Sequence, residues 1–409
     1  MRMKSVMMLC GAVIMASALA AQADWPRFMG PKADGISTDK IIKAFPEGKA
    51  NILWSNDTGE GFGGAAISAG KVYILDRYHG DNKEAFRCFD LITGKEEWKH
   101  EYTTAAYKGS YQGSRSTPTV DGDMAYTVGA LGDLIAFDLS AKKVAWQKSM
   151  GKDFSARAGG WGFAQSPLVH GDLLILSAAG SPNGAIALDK KTGEKKWAAK
   201  SFGGSDTYTS ALVTKIGGDD HVLVWNKGTL AGLDPATGDV RWSYDWQLRS
   251  GRPIPNPVPI GDGRIFLTTG YGQGMRMLEV KKDGNAYNVS EMWSKEAGGS
   301  KVSPAVLYKE HVYTISENGG ELQCIDLKGN VKWGQKGFSM GGLLIADDTL
   351  VVVDGDGGTV HLIEPASGKE LSKAPVLKGK DIWAPLAISN SKLVVRDQST
   401  IKCVDLSVK

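Results

Sequence analysis

One phrase recurs along the chain and constrains its fold more than any other feature. It has the form Asp-x-x-Thr-Gly-Lys-x-x-Trp, with variations, and stands at residues 90–98, 189–197 and 234–242. Tryptophans in equivalent places follow one another at intervals of 40 to 51 residues, at Trp54, Trp98, Trp146, Trp197, Trp242, Trp293 and Trp333. A repeat of about 20 to 50 residues is typical of solenoids, propellers and arrays.

The pattern inside each repeat predicts four short strands. Residues 116–120, 124–128, 133–138 and 143–146 are runs of β-branched and aromatic residues separated by Gly and Asp turns. Four strands per unit is the design of a propeller blade. A series of β-sandwiches explains neither the even spacing nor the incomplete units at the two ends of the repeat region.

Those incomplete units predict how the ring closes. Leu371 occupies the eighth tryptophan place, Trp54 has no repeat before it, and the repeat ending near Asp405 has no tryptophan strand after it. We therefore expect the strand at residues 52–54 to complete the last blade, which removes the exposed sheet edges. The predicted fold class is all-β: one eight-bladed propeller of four-stranded blades over residues 51–409, with residues 24–50 as an arm packed on it.

The N-terminal segment predicts export. Arg2 and Lys4 precede an apolar stretch at residues 6–20, and Ala21-Gln22-Ala23 has the form of a signal-peptidase site. This pattern predicts a signal peptide over residues 1–23 and a soluble periplasmic or secreted protein without a transmembrane anchor. The 48 basic and 45 acidic residues give a net charge of +3, so composition gives no reason to expect a nucleic-acid partner.

Three cysteines follow the predicted cleavage point: Cys88, Cys324 and Cys403. Each stands two residues before the aspartate of its own repeat, where other repeats carry Ala or Gly. The slot therefore favours a small buried residue, and free cysteine behaves as a small hydrophobe. Export would also permit a disulfide between Cys88 and Cys403.

The repeated phrase resembles the tryptophan-docking repeat of the pyrroloquinoline-quinone (PQQ)-like β-propellers. That superfamily includes quinoprotein alcohol dehydrogenases and the propeller subunit of the outer-membrane protein assembly machine. The chain is also similar to exported PQQ-binding-like propellers of planctomycetes and their relatives, which open with Trp-Pro-x-Phe-x-Gly-Pro, here residues 25–31. The resemblance covers the chain after residue 23 and implies the fold, while a fold alone does not imply an activity.

The resemblance also says which residues a quinoprotein dehydrogenase would need: an adjacent pair of cysteines, a Ca²⁺ site of carboxylate and amide oxygens, and an Asp base. No two cysteines are adjacent here, and the Asp-Gly-Asp-Gly-Gly stretch at 354–358 lacks the further ligands of a calcium loop. We therefore predict no catalytic residue, no metal ligand and no tight binding of PQQ, with PQQ plus Ca²⁺ kept as the alternative cofactor.

Loop geometry predicts which face of the ring carries a site. The loops that lead into the first strand of a blade and those between its second and third strands share one face, called here the loop face. The opposite turn face has stereotyped Gly and Asp turns, whereas the loop face is irregular and rich in aromatic and Arg residues, the usual anchors of binding surfaces. The candidate ligand-binding residues are Arg115, Arg157, Trp161, Gln165, Arg252, Tyr271, Glu317, Trp383, Arg396 and Asp397.

Purely structural roles compete with binding for some of these residues. Trp161 or Trp383 would then only plug the central channel, and Arg396 would pair with Asp397 across a turn. The leading hypothesis is a non-catalytic binding or scaffold protein for a small-molecule, glycan or protein ligand on the loop face. A PQQ-dependent oxidoreductase and an outer-membrane assembly scaffold are the alternatives, and the sequence leaves the oligomeric state open.

Overall fold

The structure is a computed structural model that describes residues 24–107, 109–178, 183–200, 202, 207–248 and 252–408. The segment predicted to be a signal peptide, residues 1–23, lies outside the described residues. Among the described residues, no helix is long and apolar enough to span a membrane.

Eight blades of four antiparallel strands make up the ring, and the arm adds a fifth, parallel strand to one of them, which confirms the predicted eight-bladed propeller. Blades 1 to 4 comprise β3 to β18: Ala66–Ser68, Lys71–Tyr78, Lys83–Asp90, Glu96–Thr103; Thr119–Asp121, Met124–Val128, Asp133–Asp138, Lys143–Ser149; Leu168–His170, Leu173–Ser177, Asn183–Asp189, Lys195–Lys200; Leu212–Ile216, Asp219–Asn226, Thr229–Leu233, Val240–Asp245. Blades 5 to 7 comprise β19 to β30: Val258–Gly261, Arg264–Thr269, Gly274–Asp283, Ala286–Lys295; Val306–Tyr308, His311–Ser316, Glu321–Asp326, Val331–Gln335; Leu343–Ala346, Thr349–Val353, Thr359–Ile363, Glu370–Pro375.

Blade 8 closes the ring as the sequence predicts. It contains β31 (Ala387–Ser389), β32 (Lys392–Arg396) and β33 (Thr400–Asp405), and its outer strand is β2 (Asn51–Asp57). Strands β2 and β33 are antiparallel, with Asn51 opposite Asp405 and Asp57 opposite Thr400. The N-terminal strand thus satisfies the edge that the last repeat leaves open.

Burial within a blade follows strand position. The second and third strands are buried on both sides, as in β8 and β9, whereas outer strands such as β10 alternate between exposed and partly buried residues. A strand covered on both faces needs a continuous run of apolar residues, whereas a strand exposed on one face needs apolar and polar residues in alternation. The helical elements of the described residues are short: one α-helix at Met150–Phe154 and two 3₁₀ turns at Pro46–Gly48 and His79–Asp81.

The recurrent Thr-Gly and Trp positions join neighbouring blades. The Trp146 indole Nε1–H donates to the carbonyl of Lys190 in the next blade at 3.1 Å, and the ring covers Gly193. Gly193 has a φ of +73°, and a Cβ there would come within 2.8 Å of the Trp146 ring. Both constraints favour glycine. The indole N–H groups of four further tryptophans donate to backbone carbonyls in the same way: Trp54, Trp197, Trp293 and Trp333.

The predicted small buried slot is also observed. Cys88, Cys324 and Cys403 are free and at most 2% exposed. Burial raises the pKa of Cys88 and of Cys403 to about 12, so neither thiol carries the thiolate that a nucleophile needs. The three described cysteines therefore act as core residues, and the disulfide between Cys88 and Cys403 is absent.

Residues 24–50 form an arm that crosses the turn face. The arm begins on blade 1, where Trp25 and Ile67 exchange two backbone hydrogen bonds of 2.8 Å. It then pairs with blade 7, where β1 (Ile36–Ser37) runs parallel to β27, and reaches blade 8, where the Ile42 N–H donates to Leu406. Blades 7, 8 and 1 are neighbours in the closed ring, so these contacts hold the two ends of the arm against the blades at which the ring closes.

Candidate functional site

The loop-face end of the central channel forms a cavity of about 190 Å³. Its walls come from the segments that lead into the first strands of seven blades, from the loop between the second and third strands of blade 5, and from the arm. Seven of the fifteen lining residues are aromatic: Phe28, Phe62, Tyr111, Trp161, Tyr208, Tyr271 and Trp383. The other lining residues are Arg115, Ala164, Ser210, Ile254, Asn256, Lys301, Val302 and Pro385. The cavity is thus flat-walled and apolar, with two cations and no acidic residue in its described lining.

Three aromatic rings build one wall. Trp383 lies 5.3 Å from Phe62 and 5.1 Å from Tyr111, measured between ring centroids, and Phe62 meets Tyr111 edge-on at 5.9 Å. Tilted and edge-on pairs at such distances stabilise one another beyond their buried area. Trp383 therefore has a packed position at the mouth of the channel.

Arg115 lies against this wall without a carboxylate partner among the described residues. Its guanidinium stands 5.3 Å from the centre of the Phe62 ring and 5.6 Å from that of Tyr107. It donates to the backbone carbonyls of Gly113, at 2.6 Å, and Tyr111. Burial lowers the pKa of Arg115, which means that its positive charge is poorly solvated. An anion in the cavity would supply the missing counter-charge.

A second cation and an unpaired hydroxyl lie near blades 5 and 6. The Lys301 ammonium stands 4.8 Å from the centre of the Tyr271 ring. The Tyr271 hydroxyl is buried and has no hydrogen-bond partner among the described residues, and burial raises its pKa. A buried hydroxyl without a partner is unfavourable unless a ligand or water completes it. Glu317 is used elsewhere, because its carboxylate accepts from the N–H groups of Tyr271 and Gly272 at 2.7 Å each.

Beneath the aromatic walls, hydrogen bonds pass from blade to blade around part of the channel. In blades 1 to 4 a backbone N–H donates to a side-chain oxygen of the next blade: Gly64 to Thr117, Thr117 to Ser166, Ser166 to Ser210, and Ser210 to Asn256, at 2.8 to 3.0 Å. The next member, Ser303, has a buried hydroxyl without a partner among the described residues. This polar belt therefore fixes one side of the cavity and stops beside Lys301.

The structure separates the ten predicted residues into two groups. Arg115, Trp161, Tyr271 and Trp383 line the cavity, and the Arg252 guanidinium stacks 5.6 Å from the centre of the Trp161 ring. Arg157 is exposed on the loop face outside the lining. The roles of Trp161 and Trp383 as ligand contacts stay predictions, since a channel plug would use the same positions.

The remaining predicted residues make internal bonds. Both amide atoms of Gln165 bond the backbone of Ser177, at 2.6 and 2.7 Å. Glu317 caps a turn as described above. Asp397 accepts from the N–H groups of Ser399 and Thr400, and Arg396 pairs with Asp76 rather than with Asp397, which corrects the pairing considered from the sequence. These side chains hold the loops in place and do not line the cavity.

Arg396 belongs to a buried ionic network that joins blade 8 to blade 1. Its Nη2 donates to Asp76 at 2.9 Å and to the carbonyl of Gly59 at 3.1 Å. Arg87 donates to the other oxygen of Asp76 at 2.9 Å and to Glu96 at 2.7 Å. Asp76 is fully buried and Arg396 is 3% exposed. The bonds reinforce the closure of the ring at the loop face.

A neighbouring pair joins blade 1 to blade 2. Arg77 and Glu84 are both fully buried, and the guanidinium donates to the carboxylate at 3.2 Å. Glu84 also accepts from the Tyr102 hydroxyl at 2.6 Å and from the N–H of Ala130 in blade 2 at 2.9 Å. Burial raises the pKa of Glu84 despite these bonds.

The lining residues that were not among the predicted candidates include Phe28, Phe62, Tyr208, Asn256 and Lys301. The sequence did carry a signal for Tyr208 and Lys301. Each stands two residues before a residue of the polar belt, Ser210 and Ser303, in the same way that Arg115 stands two residues before Thr117. Aligning the segments that lead into the first strands would have found them. Phe28 has no such signal, since its place depends on the path of the arm.

The residues do not fit a calcium-dependent quinone site. The described residues contain no cluster of three or more His, Cys, Asp or Glu side chains able to hold a metal ion. The lining of the cavity offers no carboxylate, whereas Ca²⁺ prefers six to eight oxygen ligands. The buried cysteines lie in blades 1, 6 and 8, so they cannot form an adjacent pair.

A profile of the family described as outer membrane protein assembly factor BamB matches residues 38–152, 81–335 and 280–374. The chain belongs to this family. The BamB protein of Burkholderia pseudomallei (strain K96243) is 23% identical over 290 residues, which cover 67% of this chain and 69% of that protein.

Solved structures share the architecture of this BamB-family chain. BamB from Moraxella catarrhalis superposes with a TM-score of 0.64 at 16% identity, over 87% of this chain and 99% of that one. The quinohemoprotein alcohol dehydrogenase from Comamonas testosteroni superposes with a TM-score of 0.69 at 14% identity, over 95% of this chain and 81% of that one. At these identities the likeness concerns the fold alone, so the chemistry of the site must be argued from this chain's own residues.

Proposed function

We propose that this BamB-family chain is a non-catalytic binding propeller whose axial cavity takes a small organic anion with a flat aromatic body. The observation that carries the proposal is the pair of cations, Arg115 and Lys301, in an aromatic cavity without an acidic lining residue. Ligand pockets are commonly apolar with a few well-placed polar groups, and this cavity has that composition.

The charge of the ligand follows from the unpaired groups. Arg115 makes only backbone and ring contacts among the described residues. A carboxylate would give it a charge-assisted bond, which is stronger than a bond between neutral groups. The Tyr271 hydroxyl, which lacks a partner among the described residues, is a further donor for such a group.

The shape of the ligand follows from the walls. Aromatic side chains favour offset or tilted stacking with another ring. A flat aromatic body between the Phe62–Tyr111–Trp383 wall and the Trp161–Tyr208 pair would make such contacts on both sides. An oligosaccharide of several units would exceed a cavity of about 190 Å³, so a glycan ligand is disfavoured.

Calorimetric titration tests the proposal directly. Residues 24–409 would be titrated with biphenyl-4-carboxylate and with the uncharged biphenyl-4-carboxamide. We expect saturable binding of the carboxylate and at least about tenfold weaker binding of the amide, since a charged hydrogen bond contributes about 1.5 to 3 kcal/mol. Equal affinities for the two probes, or no uptake of either, would refute the proposal.

A second titration, with PQQ in the presence and absence of Ca²⁺, separates this function from that of a quinoprotein dehydrogenase. We expect weak uptake of PQQ that Ca²⁺ does not change, because the described cavity lining provides no carboxylate ligands for the ion. Tight, calcium-dependent uptake would favour the oxidoreductase alternative, and dye-linked alcohol and aldehyde assays would follow.

The family match favours a second candidate function, a scaffold role in outer-membrane protein assembly. A scaffold role in outer-membrane assembly would require export, which agrees with the export signal predicted at residues 1–23. Crosslinking of the tagged protein in cells tests the scaffold role: recovery of outer-membrane assembly components that is insensitive to substitution of Arg115 would support it. N-terminal sequencing of the cell-derived protein would test cleavage near Ala23.

A further inference from the structure

A second cavity adjoins the first on the side of the turn face. It has a volume of about 360 Å³ and is lined by the arm and by the first strands of blades 3 to 6. Phe28 and Asn256 line both cavities. These two residues therefore separate the two cavities. Asn256 belongs to the polar belt, where its side-chain oxygen accepts from the N–H of Ser210. Phe28 is the separating residue that the arm contributes.

The arm holds Phe28 in place through its neighbours on both sides. Trp25 is 2% exposed and Met29 is 5% exposed, and each packs into a different hydrophobic cluster. The carbonyl of Pro26 accepts from the N–H of Val120 at 2.8 Å, which ties the arm to blade 2 as well. Phe28 therefore lies between anchors that span the channel.

The backbone at this point is a tight turn. The N–H of Gly30 donates to the carbonyl of Arg27 at 3.0 Å, and Met29 has a φ of +61°. A non-glycine residue in the left-handed region is unfavourable and persists only where the surroundings fix it. The burial of Met29 against Val306 provides that constraint, and the turn directs its other central residue, Phe28, to the axis.

We infer that Phe28 sets the length of ligand that the aromatic cavity accepts, by separating that cavity from the second one. This inference rests on the proposed binding of aromatic anions. With Phe28 present, a ligand whose carboxylate binds Arg115 can extend only through the aromatic cavity. Without the ring, the two volumes join, and a ligand extended by one more aromatic ring reaches into the second cavity.

The test uses a ladder of rigid probes: benzoate, biphenyl-4-carboxylate and p-terphenyl-4-carboxylate. Each is titrated into the wild-type protein, Phe28→Ala and Phe28→Leu, with thermal denaturation to verify folding. We expect the wild type to prefer biphenyl over terphenyl by about tenfold or more, since an additional ring without space is excluded. Phe28→Ala should gain about tenfold for terphenyl and Phe28→Leu less, because burial of an added ring is favourable.

Three outcomes distinguish the ideas. A gain for terphenyl in Phe28→Ala, with benzoate affinity little changed, supports the inference. Biphenyl binding without any gain for terphenyl in either folded variant overturns it while leaving the proposed function intact, as does equal binding of biphenyl and terphenyl by the wild type. Failure of every probe to bind any of the proteins refutes the proposed function itself, and with it the inference.

Discussion

The loop face holds two groups of basic side chains that differ in their partners. Arg77, Arg87 and Arg396 are buried and each donates to a carboxylate from the blade seam. Arg115 and Lys301 face the axial cavity and have no carboxylate partner within ion-pair distance among the described residues. The charges of the first group are neutralised by ion pairs at the blade seams, whereas the charges of the second group are free of such pairs and could bind an anionic ligand.

The comparison shows that residue type and face do not by themselves identify a binding residue. Arg396 and Arg115 both lie on the loop face. What separates them is a buried carboxylate: Asp76 accepts from Arg396, whereas no carboxylate of the described residues lies within ion-pair distance of Arg115. A buried counter-ion assigns Arg396 to the structural group, and its absence at Arg115 is the ground for the binding role proposed above.

The largest effect is expected from removing that counter-ion. Asp76→Asn leaves Arg87 and Arg396 without their shared charge partner, and breaking a buried pair in this way destabilises proteins by about 3 to 5 kcal/mol. Denaturant unfolding would measure the change. Asp348→Asn is the matched control, because Asp348 pairs with Lys309 at an exposed site, where we expect less than about 1 kcal/mol. Equal effects of the two substitutions would remove the distinction between the groups.

His221 adds a third case to the comparison of basic side chains, because it is buried in its uncharged form. It is fully buried and accepts from the Trp242 indole at 3.3 Å. Burial, together with Arg241, lowers its pKa to about 4. Because the unfolded chain binds the proton near pH 6.5, stability should be complete above that pH and fall as the pH drops towards about 4. His221→Gln, which does not titrate in this range, should show a shallower fall in urea midpoints; an identical pH profile would contradict the assignment.

Arg115→Met should act on binding and leave folding unharmed. Loss of one charged hydrogen bond predicts about a 10- to 100-fold weaker affinity for biphenyl-4-carboxylate. The melting temperature should stay the same or rise, since the variant no longer buries a poorly solvated charge. Arg157→Met is the matched control, because Arg157 is exposed on the same face outside the cavity lining. Unfolding of Arg115→Met, or an equal loss in Arg157→Met, would place Arg115 with the structural group.

The smallest effect is expected for Lys301→Met. Lys301 is partly exposed, so water and salt screen its charge, and we expect about a fivefold loss of affinity. The loss should shrink as salt is raised, because screening weakens the wild-type contribution. Calorimetry at low and high salt would measure it. A loss independent of salt would mean that Lys301 acts by packing on Tyr271 instead.

The fold could be predicted from the sequence because its determinants are local. The glycine of the repeated phrase requires a positive φ, and the tryptophan requires a glycine beneath its ring, so both recur at fixed spacing. The face on which the cavity lies was also predictable, since the order of the loops within a blade fixes which segments surround that end of the channel. Four of the ten candidate residues line the cavity for that reason.

Whether a candidate lines the cavity or makes internal bonds depends on its partners in the folded chain, and the sequence pattern does not show which residues those are. Asp76 lies 320 positions from Arg396, and Gln165 bonds the backbone of Ser177, 12 positions away at the end of β12. The arm adds a similar difficulty, since Phe28 reaches the axis only because Trp25 and Met29 anchor on different parts of the ring. Pairings of this kind follow from the closed ring rather than from any local pattern.

The closure of blade 8 has a consequence for how the protein folds. Strand β2 pairs with β33, so the ladder partners of residues 51–57 are residues 400–405. Contacts between residues so far apart in sequence form slowly, since the entropy of closing the intervening loop opposes them. The other seven blades can form from neighbouring hairpins while this seam is still open. We therefore expect the two ends of the chain to join last, and trimming either end to weaken the whole ring.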